Sequence, residues 1–393
     1  MLLRRVWKVS GVVAVLAAVA CSDPGSSEDS PVMDAGVETS GVDTGVEEDV
    51  AEGCGGPLCD ATWEPLPAPA HHRIQAELVK MSDGSVLLIG GRDANFTHFT
   101  VVERLDPTTR QWAEVAPMPV AMEDIDAVAL DNNRVLVTGY FARNALLYDA
   151  NADTWTEFDD RAWGMRSTLV AAIGPSRVLV FDNSFMLDWG IFDLEAEEWV
   201  TEGAVDGFTD TTPVNFREVI ALQDGSFLVY EESSFGVVKM TRYEATMERF
   251  DATFIASESE TLPGFRESVL VWVESLGRWL VFCGQKVDEV ASVASFGLEA
   301  FRFEEHAALV SDEWIAWRSA TDLGDGVILL TPDFWSPYPD ALPVYDAVQD
   351  EWSQIEAPLD EASYAPVVFD DGSLLFMLTR QSTFEVWLLK PHG

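Results

Sequence analysis

One pattern of apolar and polar positions recurs along the chain after residue 70. A short apolar run leads into a tight turn, a strongly apolar run follows, and a third run comes after a variable loop. The third run ends in an aromatic residue or Leu, and another aromatic residue follows seven positions later. Short apolar runs that are bounded by turn residues predict β-strands. The pattern therefore predicts an all-β chain built from repeated units.

The turn and the strand after it align in seven places. Asp-Gly and Asn-Asn pairs supply the positive φ angles that tight hairpin turns need. The aligned segments are SDGSVLLIGG (82–91), DNNRVLVTGY (131–140), GPSRVLVFDN (174–183), QDGSFLVYEE (223–232), SLGRWLVFCG (275–284), GDGVILLTPD (324–333) and DDGSLLFMLT (370–379). The later part of the unit occurs only six times, as LDPTTRQW (105–112), YDANADTW (148–155), FDLEAEEW (192–199), YEATMERF (243–250), FGLEAFRF (296–303) and YDAVQDEW (345–352).

The missing fourth strand of the last unit is found at the other end of the repeat region. The chain ends in FEVWLLKPHG without an outermost strand, and TWEPLPAPA (62–70) is such a strand with no unit before it. Pairing the two would remove an exposed sheet edge. The sequence therefore predicts a seven-bladed β-propeller of four-stranded blades, closed by an N-terminal strand that pairs with the C-terminal blade.

The first unit resembles a kelch repeat. Gly90 and Gly91 follow an apolar strand, and VERLDPTTRQWAEVAPMP (102–119) is close to the kelch consensus. The other units keep the aromatic spacing but lose the double glycine. Units of about 47 residues are near the roughly 50 typical of kelch repeats. The resemblance implies a β-propeller and leaves the activity open, because kelch propellers include protein-binding modules, sugar oxidases and sialic-acid isomerases.

Residues 1–20 have the features of an export signal. Basic residues precede the apolar run VSGVVAVLAAVA (9–20), which is too short to span a bilayer comfortably. AVAC (18–21) resembles a bacterial lipobox, which would make Cys21 a lipidated first residue of an outer-membrane or cell-surface lipoprotein. The order Ala18-Val19-Ala20 also fits ordinary signal peptidase, which would leave a soluble periplasmic or secreted protein. Both alternatives remain open.

The charge distribution limits the possible partners. The chain has 24 Lys and Arg against 67 Asp and Glu, a formal net charge of −43. Such a surface repels nucleic acid and anionic lipid, so any membrane contact is expected through a lipid anchor alone, and the protein is expected to be a monomer. Residues 21–61 are acidic and almost without large apolar side chains, which predicts a disordered tether before a propeller at residues 62–393.

The cysteines predict no metal site. CGGPLC (54–59) lies in a chain that carries an export signal, so Cys54 and Cys59 are expected to form a disulfide. Cys283, within WLVFCG, is expected to be a small buried side chain. Five histidines show no ligand spacing, and the sequence predicts neither a metal nor a cofactor.

An arginine recurs just before the innermost strand of five units, and aromatic residues accompany it. One interpretation is a ring of guanidinium groups at the channel mouth that binds an anion. The alternative is a structural arginine that pairs with a carboxylate of a neighbouring blade. The candidate ligand-binding residues are Arg73, Arg166, Arg217, Arg266, Arg318, Trp163, Phe265, Trp317, Trp335 and Tyr338.

Aromatic residues also occur in two predicted loops that can stack on sugars or anchor a protein. They are Phe96, His98 and Phe99 in one loop and Phe334, Trp335 and Tyr338 in the other. We expect a non-catalytic propeller on the cell envelope that binds an unknown protein, or an anionic or carbohydrate ligand such as a glycan, at the channel-mouth face. The alternative is a propeller enzyme that acts on sugars as an isomerase, oxidase or glycosidase.

Overall fold

The structure is a computed structural model. It describes residues 58, 60–93, 95–140, 144–158, 168–173, 176–182, 188–204, 214–221, 226–233, 238–244, 250–255, 268–283, 293–297, 304–307, 309, 317–332, 341–356, 365–380 and 383–391. All regular secondary structure in these ranges is β-strand. Within them no helix has the length and apolar character that a bilayer span requires.

The strands form four-stranded antiparallel sheets, numbered I to VII in chain order. The strand β1 (Thr62–Leu66) comes first in the chain and belongs to sheet VII. Sheet I contains β2 (Glu77–Lys80), β3 (Val86–Ile89), β4 (Val102–Leu105) and β5 (Trp112–Val115). Sheet II contains β6 (Glu123–Leu130), β7 (Arg134–Tyr140), β8 (Ala145–Asp149) and β9 (Thr154–Phe158). Sheet III contains β10 (Thr168–Ala172), β11 (Arg177–Asp182), β12 (Asp188–Asp193) and β13 (Glu198–Ala204).

The remaining sheets repeat this arrangement. Sheet IV contains β14 (Val214–Ala221), β15 (Ser226–Ser233), β16 (Val238–Glu244) and β17 (Phe250–Ile255). Sheet V contains β18 (Val269–Val273), β19 (Arg278–Phe282), β20 (Val293–Phe296) and β21 (Glu304–Glu305). Sheet VI contains β22 (Trp317–Asp322), β23 (Val327–Pro332), β24 (Ala341–Asp346) and β25 (Glu351–Glu356). Sheet VII contains β26 (Val367–Val368), β27 (Leu374–Arg380) and β28 (Thr383–Lys390), with β1 on its outer edge.

The first strand of each unit lies beside the first strand of a neighbouring sheet. β2 contacts β6, β6 contacts β10, β10 contacts β14, and β18 contacts β22, while β26 contacts β2. Strand order within a sheet follows chain order, so each later strand lies further from these contacts. This is the arrangement of β-propeller blades around a central axis.

Apolar cores fill the space between neighbouring sheets. Clusters of buried side chains join V to VI, VI to VII, VII to I, I to II and II to III. Leu87 and Val137, for example, belong to the core between I and II, and neither is exposed to solvent. The sequence predicts seven blades, whereas the described side-chain packing covers six. Sheet IV is described by its backbone pairing.

The strand β1 lies against β28, as the sequence predicts for the N-terminal strand. Their antiparallel register pairs Thr62 with Lys390 and Leu66 with Val386. The Trp63 ring packs edge-on against Phe376 at 5.0 Å between centroids. The Trp63 indole N–H also donates to the Glu356 carbonyl oxygen of sheet VI at 2.8 Å. The outer strand of sheet VII is therefore held by its own sheet and by the preceding one.

A recurring set of hydrogen bonds fastens each of two sheets to the sheet before it. In sheet VI, Asp350 accepts the main-chain N–H of Ala307 at 2.8 Å, and the Trp352 indole donates to the carbonyl oxygen of Ala307 at 2.8 Å. The Tyr345 hydroxyl donates to the same Asp350 oxygen at 2.6 Å. We call this set of hydrogen bonds the latch. It binds both the main-chain N–H and the carbonyl oxygen of Ala307, the residue at which the chain leaves the preceding sheet.

Sheet II repeats the latch. The main-chain N–H of Ala116 donates to Asp153 at 2.8 Å, and the carbonyl oxygen of Ala116 accepts from the Trp155 indole at 2.8 Å. The Tyr148 hydroxyl donates to Asp153 at 2.8 Å. The same three residue types stand at the same spacing in YDANADTW and YDAVQDEW, so this part of the repeat encodes contact between sheets.

Sheet I has lost the latch. Leu105 and Arg110 stand where sheet II has Tyr148 and Asp153, and the buried Nε1 atom of Trp112 has no hydrogen-bond partner among the described residues. Arg110 instead reaches sheet VII, where its Nη2 lies 3.2 Å from Asp371. Its Cζ also lies 3.7 Å from the centroid of the Phe369 ring. An ion pair and a cation–π contact therefore replace the latch at this boundary.

The latch carboxylate makes this contact sensitive to pH. Burial raises the pKa of Asp350, but the hydrogen bonds from Tyr345 and Ala307 outweigh it and hold the net pKa below its usual range. Burial and the same bond raise the pKa of Tyr345 well above its usual range. The stabilisation from Asp350 is complete above the ordinary Asp pKa of about 3.9 and is lost as the pH falls through the lowered folded-state pKa.

We expect truncation at residue 67 to destabilise the fold, because it removes β1 and exposes the edge of β28 and the face of Phe376. A chain that begins at residue 58 keeps β1 and is the matched control. The shorter chain should melt at a lower temperature in calorimetry and aggregate in light scattering, at a cost of several kcal/mol. Equal melting temperatures for the two chains would show that β1 contributes nothing to stability.

We expect Trp352→Phe to destabilise the fold by about 1 kcal/mol more than Trp112→Phe. Both substitutions shorten a half-buried indole in an outer strand, but only the first removes a hydrogen bond and leaves a main-chain carbonyl without its donor. Urea unfolding of the two variants measures the difference. If the losses are equal, the indole hydrogen bond does not hold the sheets together.

Candidate functional site

The candidate site lies at the end of sheet I that carries the loop between β3 and β4. This loop contacts the segment that enters β2, because Ile74 and Arg92 exchange main-chain hydrogen bonds of 2.8 and 2.9 Å. The tight turns between β2 and β3 and between β4 and β5 lie at the opposite end. We call the two ends of the sheets the loop face and the turn face.

A glycine allows the two segments of the loop face to approach each other. Gly91 has a φ of 86°, in the left-handed region that favours glycine. A Cβ atom there would lie 2.7 Å from the carbonyl oxygen of Ile74 and 2.9 Å from the main-chain nitrogen of Ala76. The second glycine of the GG pair is therefore required by this close backbone approach.

The loop at residues 92–100 is braced by its own polar groups. One carboxylate oxygen of Asp93 accepts the main-chain N–H groups of Asn95 and Thr97, both at 2.8 Å. The bond from Thr97 is the main cause that lowers the pKa of Asp93, so the carboxylate is charged near neutral pH. Asp93 is thus the residue that fixes the shape of this loop.

Phe96 lies on the solvent-exposed side of the loop at residues 92–100. Its side chain is 51% exposed, and its backbone has a φ of 65°, which is uncommon for a bulky residue. The buried Arg92 guanidinium lies beneath the ring, with Cζ 4.2 Å from the ring centroid. Nε of Arg92 also donates to Gln75 in the segment that enters β2. A rigid exposed aromatic ring of this kind can stack on a sugar or fill a partner's pocket.

His71 and Phe99 extend the same surface. Their ring centroids are 6.4 Å apart, and Nε2 of His71 lies 3.0 Å from a carboxylate oxygen of Glu114. The sequence predicted the aromatic residues of this loop as candidates. It did not single out Arg92 or Gln75. The available signal was the position of Arg92 directly after Gly91, the glycine with a positive φ.

Arg73 has the buried, paired geometry of a structural arginine, but its carboxylate belongs to sheet I itself and not to a neighbouring blade. Its guanidinium is fully buried and donates to Glu103 at 2.7 Å, to the carbonyl oxygen of Val101 at 2.8 Å and to that of Leu88 at 3.2 Å. The other Glu103 oxygen accepts the main-chain N–H of Ala70 at 2.6 Å. Arg73 therefore ties the entering segment to β3 and β4 and offers no surface to a ligand.

Trp317 is also buried and does not form a wall of an open entrance. It is 1% exposed, and its indole N–H donates to the carbonyl oxygen of Cys283 at 2.9 Å. It packs in the apolar core between sheets V and VI. Cys283 is a buried free thiol, as the sequence predicts. The expected role of Trp317 in ligand binding is corrected to one in packing.

Arg318 and Arg217 occupy the same kind of backbone position. The register between β22 and β23 shifts from Trp317 to Ser319, which leaves Arg318 as an extra residue at a β-bulge. The pairing of β14 with β15 shifts in the same way and leaves Arg217 as the extra residue. Bulges redirect side chains and are frequent near functional sites. Arg318 is half-buried.

The other candidates lie outside the described residues. They are Arg166, Arg266, Trp163, Phe265, Trp335 and Tyr338, together with Cys21, Cys54 and Cys59. The export signal, the lipid anchor, the acidic tether and the disulfide therefore stay predictions of the sequence.

Comparison with known proteins supports the fold. Residues 81–119 match the kelch motif. Mouse Kelch-like protein 35 is 27% identical to this chain over 99 residues, which make up 25% of this chain and 17% of that protein. The matched region is thus a small part of that relative. Both matches support a kelch-repeat β-propeller.

A solved structure resembles the fold over most of the chain. It is a fungal alcohol oxidase in complex with copper, described as having catalytic diversity among the AA5 family. Its TM-score is 0.59 at 12% identity, and the alignment covers 84% of this chain and 76% of the other. At this identity the likeness shows the fold alone.

The described side chains do not fit a resident copper ion. No group of three or more His, Cys, Asp or Glu residues in the described ranges could hold a metal. The described histidines are dispersed: His72 packs on Phe384 at 4.8 Å between ring centroids, and His306 lies 2.7 Å from the Ser295 hydroxyl. The overall fold is therefore what this chain shares with the oxidase.

We expect Arg73→Ala to destabilise the propeller by about 3–5 kcal/mol, because it leaves the buried Glu103 carboxylate without its cation. Arg104→Ala is the control, since Arg104 pairs with Asp83 where both side chains are partly exposed, and should cost about 0–1 kcal/mol. Urea unfolding of both variants tests this difference. A loss for Arg73→Ala as small as that of the control would restore Arg73 as a candidate for ligand binding.

Proposed function

We propose that this chain is a non-catalytic binding scaffold, a closed seven-bladed kelch-type propeller that binds its partner at the loop face. The observation that carries the proposal is Phe96, an exposed aromatic ring on a braced loop above a buried arginine. Apolar side chains that are held rigid and exposed lose little conformational entropy on binding, which makes them effective anchors.

The proposal of a closed ring rests on the contacts between the described sheets. Side-chain packing is continuous from sheet V through VII and I to III, and β14 of sheet IV lies beside β10 of sheet III. One remaining contact, between sheets IV and V, would complete a ring of seven. A ring leaves only the outer strands of the blades with a free edge, which limits aggregation.

The proposed ligand class rests on the aromatic and polar side chains of the loop face. An aromatic platform beside polar groups such as His71 and Glu114 suits a carbohydrate ring, which stacks on one face and forms hydrogen bonds at its hydroxyls. The Arg217 and Arg318 bulges are the candidate positions for contact with an anionic group. A protein side chain could also cover Phe96.

We expect Phe96→Ala to weaken ligand binding about tenfold, equivalent to about 1.4 kcal/mol, without changing the melting temperature. The chain from residue 58 is screened against glycan and organic-acid panels, with product formation followed in parallel. The matched control is Val200→Ala, which shortens another exposed apolar side chain, 47% exposed, on the outer strand β13.

A complex of defined stoichiometry without product supports the binding scaffold. Product formation would favour the enzyme that acts on sugars. Equal binding by the Phe96→Ala and Val200→Ala variants would move the site away from this loop.

A further inference from the structure

Two exposed apolar side chains lie on the turn face, opposite the candidate site. Leu276, in the turn between β18 and β19, is 36% exposed, and Val348, in the turn between β24 and β25, is 57% exposed. One turn joins the first two strands of sheet V and the other joins the last two strands of sheet VI. In an antiparallel four-stranded sheet both kinds of turn lie at the same end.

The two turns meet at Gly326. This buried glycine lies in the turn between β22 and β23 and has a φ of 85°. A Cβ atom at Gly326 would lie 3.0 Å from Cγ2 of Val348 and 3.7 Å from the Ser275 hydroxyl oxygen, and Leu276 follows Ser275 directly. The turns of sheets V and VI therefore form one continuous surface, which we call the turn-face patch (Ser275, Leu276, Gly326 and Val348).

Carboxylates surround the turn-face patch. Glu274 and Asp325 are exposed, and Asp346 is half-buried. Glu274 accepts a hydrogen bond of 2.6 Å from the indole of Trp272, and Asp346 accepts the main-chain N–H of Val348 at 2.9 Å. In the described part of the chain, none of these three carboxylates forms an ion pair with Lys or Arg.

The corresponding turns of sheets I and VII are compensated within the protein. Asp370 pairs with Lys80 at 2.6 Å, and Asp371 pairs with Arg110 at 3.2 Å. Asp83 pairs with Arg104. Acidic turns are thus common to this face, but among the described residues those at the turn-face patch form no ion pair with Lys or Arg and have apolar side chains between them.

We propose that the turn-face patch binds a basic segment of another polypeptide, with an apolar side chain of that segment between Leu276 and Val348. A formal net charge of −43 opposes the approach of nucleic acid and anionic lipid. A second copy of this chain would bring the same carboxylates against each other. Lys or Arg side chains placed on either side of an apolar residue can pair with Glu274 and Asp325, which satisfies both features of the surface.

The test uses a short synthetic peptide that alternates Lys with Leu, titrated by calorimetry at about 0.15 M ionic strength, where long-range charge effects are screened. Two further peptides separate the contributions. One alternates Lys with Ser and lacks the apolar anchor, and the other alternates Glu with Leu and reverses the charge. We expect only the Lys and Leu peptide to form a one-to-one complex.

The variant Leu276→Ser/Val348→Ser should weaken this complex at least about tenfold, because it removes the apolar contact. Asp325→Asn should weaken it by a smaller factor. Val200→Ser and Asp131→Asn are the matched controls, since Asp131 is an exposed carboxylate on a turn of sheet II, and both should bind as the unaltered chain does. Phe96→Ala should also bind normally, which separates this surface from the loop face.

Several results would overturn the proposal. One is equal affinity for the Lys and Ser peptide, which would indicate attraction by net charge alone. Another is unchanged binding by the Leu276→Ser/Val348→Ser variant. A third is self-association in sedimentation that this variant abolishes, which would make a second copy the occupant. Melting temperatures show whether each variant remains folded.

Discussion

The latch is the directional interaction that positions sheets II and VI against the sheets before them. A four-stranded sheet with one apolar face toward each neighbour could slide against that neighbour, because apolar packing has no direction. Asp350 and Trp352 hold the N–H and the carbonyl oxygen of Ala307, and so fix where the chain leaves one sheet relative to the next. Hydrogen bonds to a main-chain group cannot shift without losing a buried partner. The latch therefore fixes the position of one sheet against the next where apolar packing alone would not.

The loss of the latch in sheet I coincides with the boundary where the two ends of the chain meet. Arg110 makes its contacts with sheet VII through Asp371 and Phe369, on the innermost turn of that sheet. The contact is therefore closer to the axis than a latch would be. The segment after β1 is instead held from within sheet I, through Glu103 and Ala70. This boundary depends more on charge than the boundaries between sheets I and II and between V and VI, where the latch is present, and salt should weaken it more.

The blade pattern could be predicted from the sequence because it is local. Strand, turn and aromatic spacing lie within about 50 residues of each other, and each repeat confirms the next. The pairing of β1, which contains Trp63, with β28 was also predictable. The last unit lacks its outermost strand, and the segment at residues 62–70 is such a strand without a unit before it. The partner of Arg73 was not predictable, because Glu103 lies thirty positions along the chain and only the folded sheet brings the two together. The sequence marked Trp317 as aromatic but could not show that its indole points into the core. The bulge at Arg318 depends on a register shift with β23, which residue types do not reveal.

The pairing of β1 with β28 has a consequence for the order of folding. Trp63 bonds to a residue 293 positions away, and Thr62 lies opposite Lys390 at the far end of the chain. The first strand of the propeller can therefore pair only after the last strand has formed, and a contact between residues so far apart in sequence slows folding. Until then the edge of β28 has no neighbour and the Trp63 ring has no core to enter. Assembly of the sheets can proceed in chain order, but its final step joins the first and the last strands of the propeller.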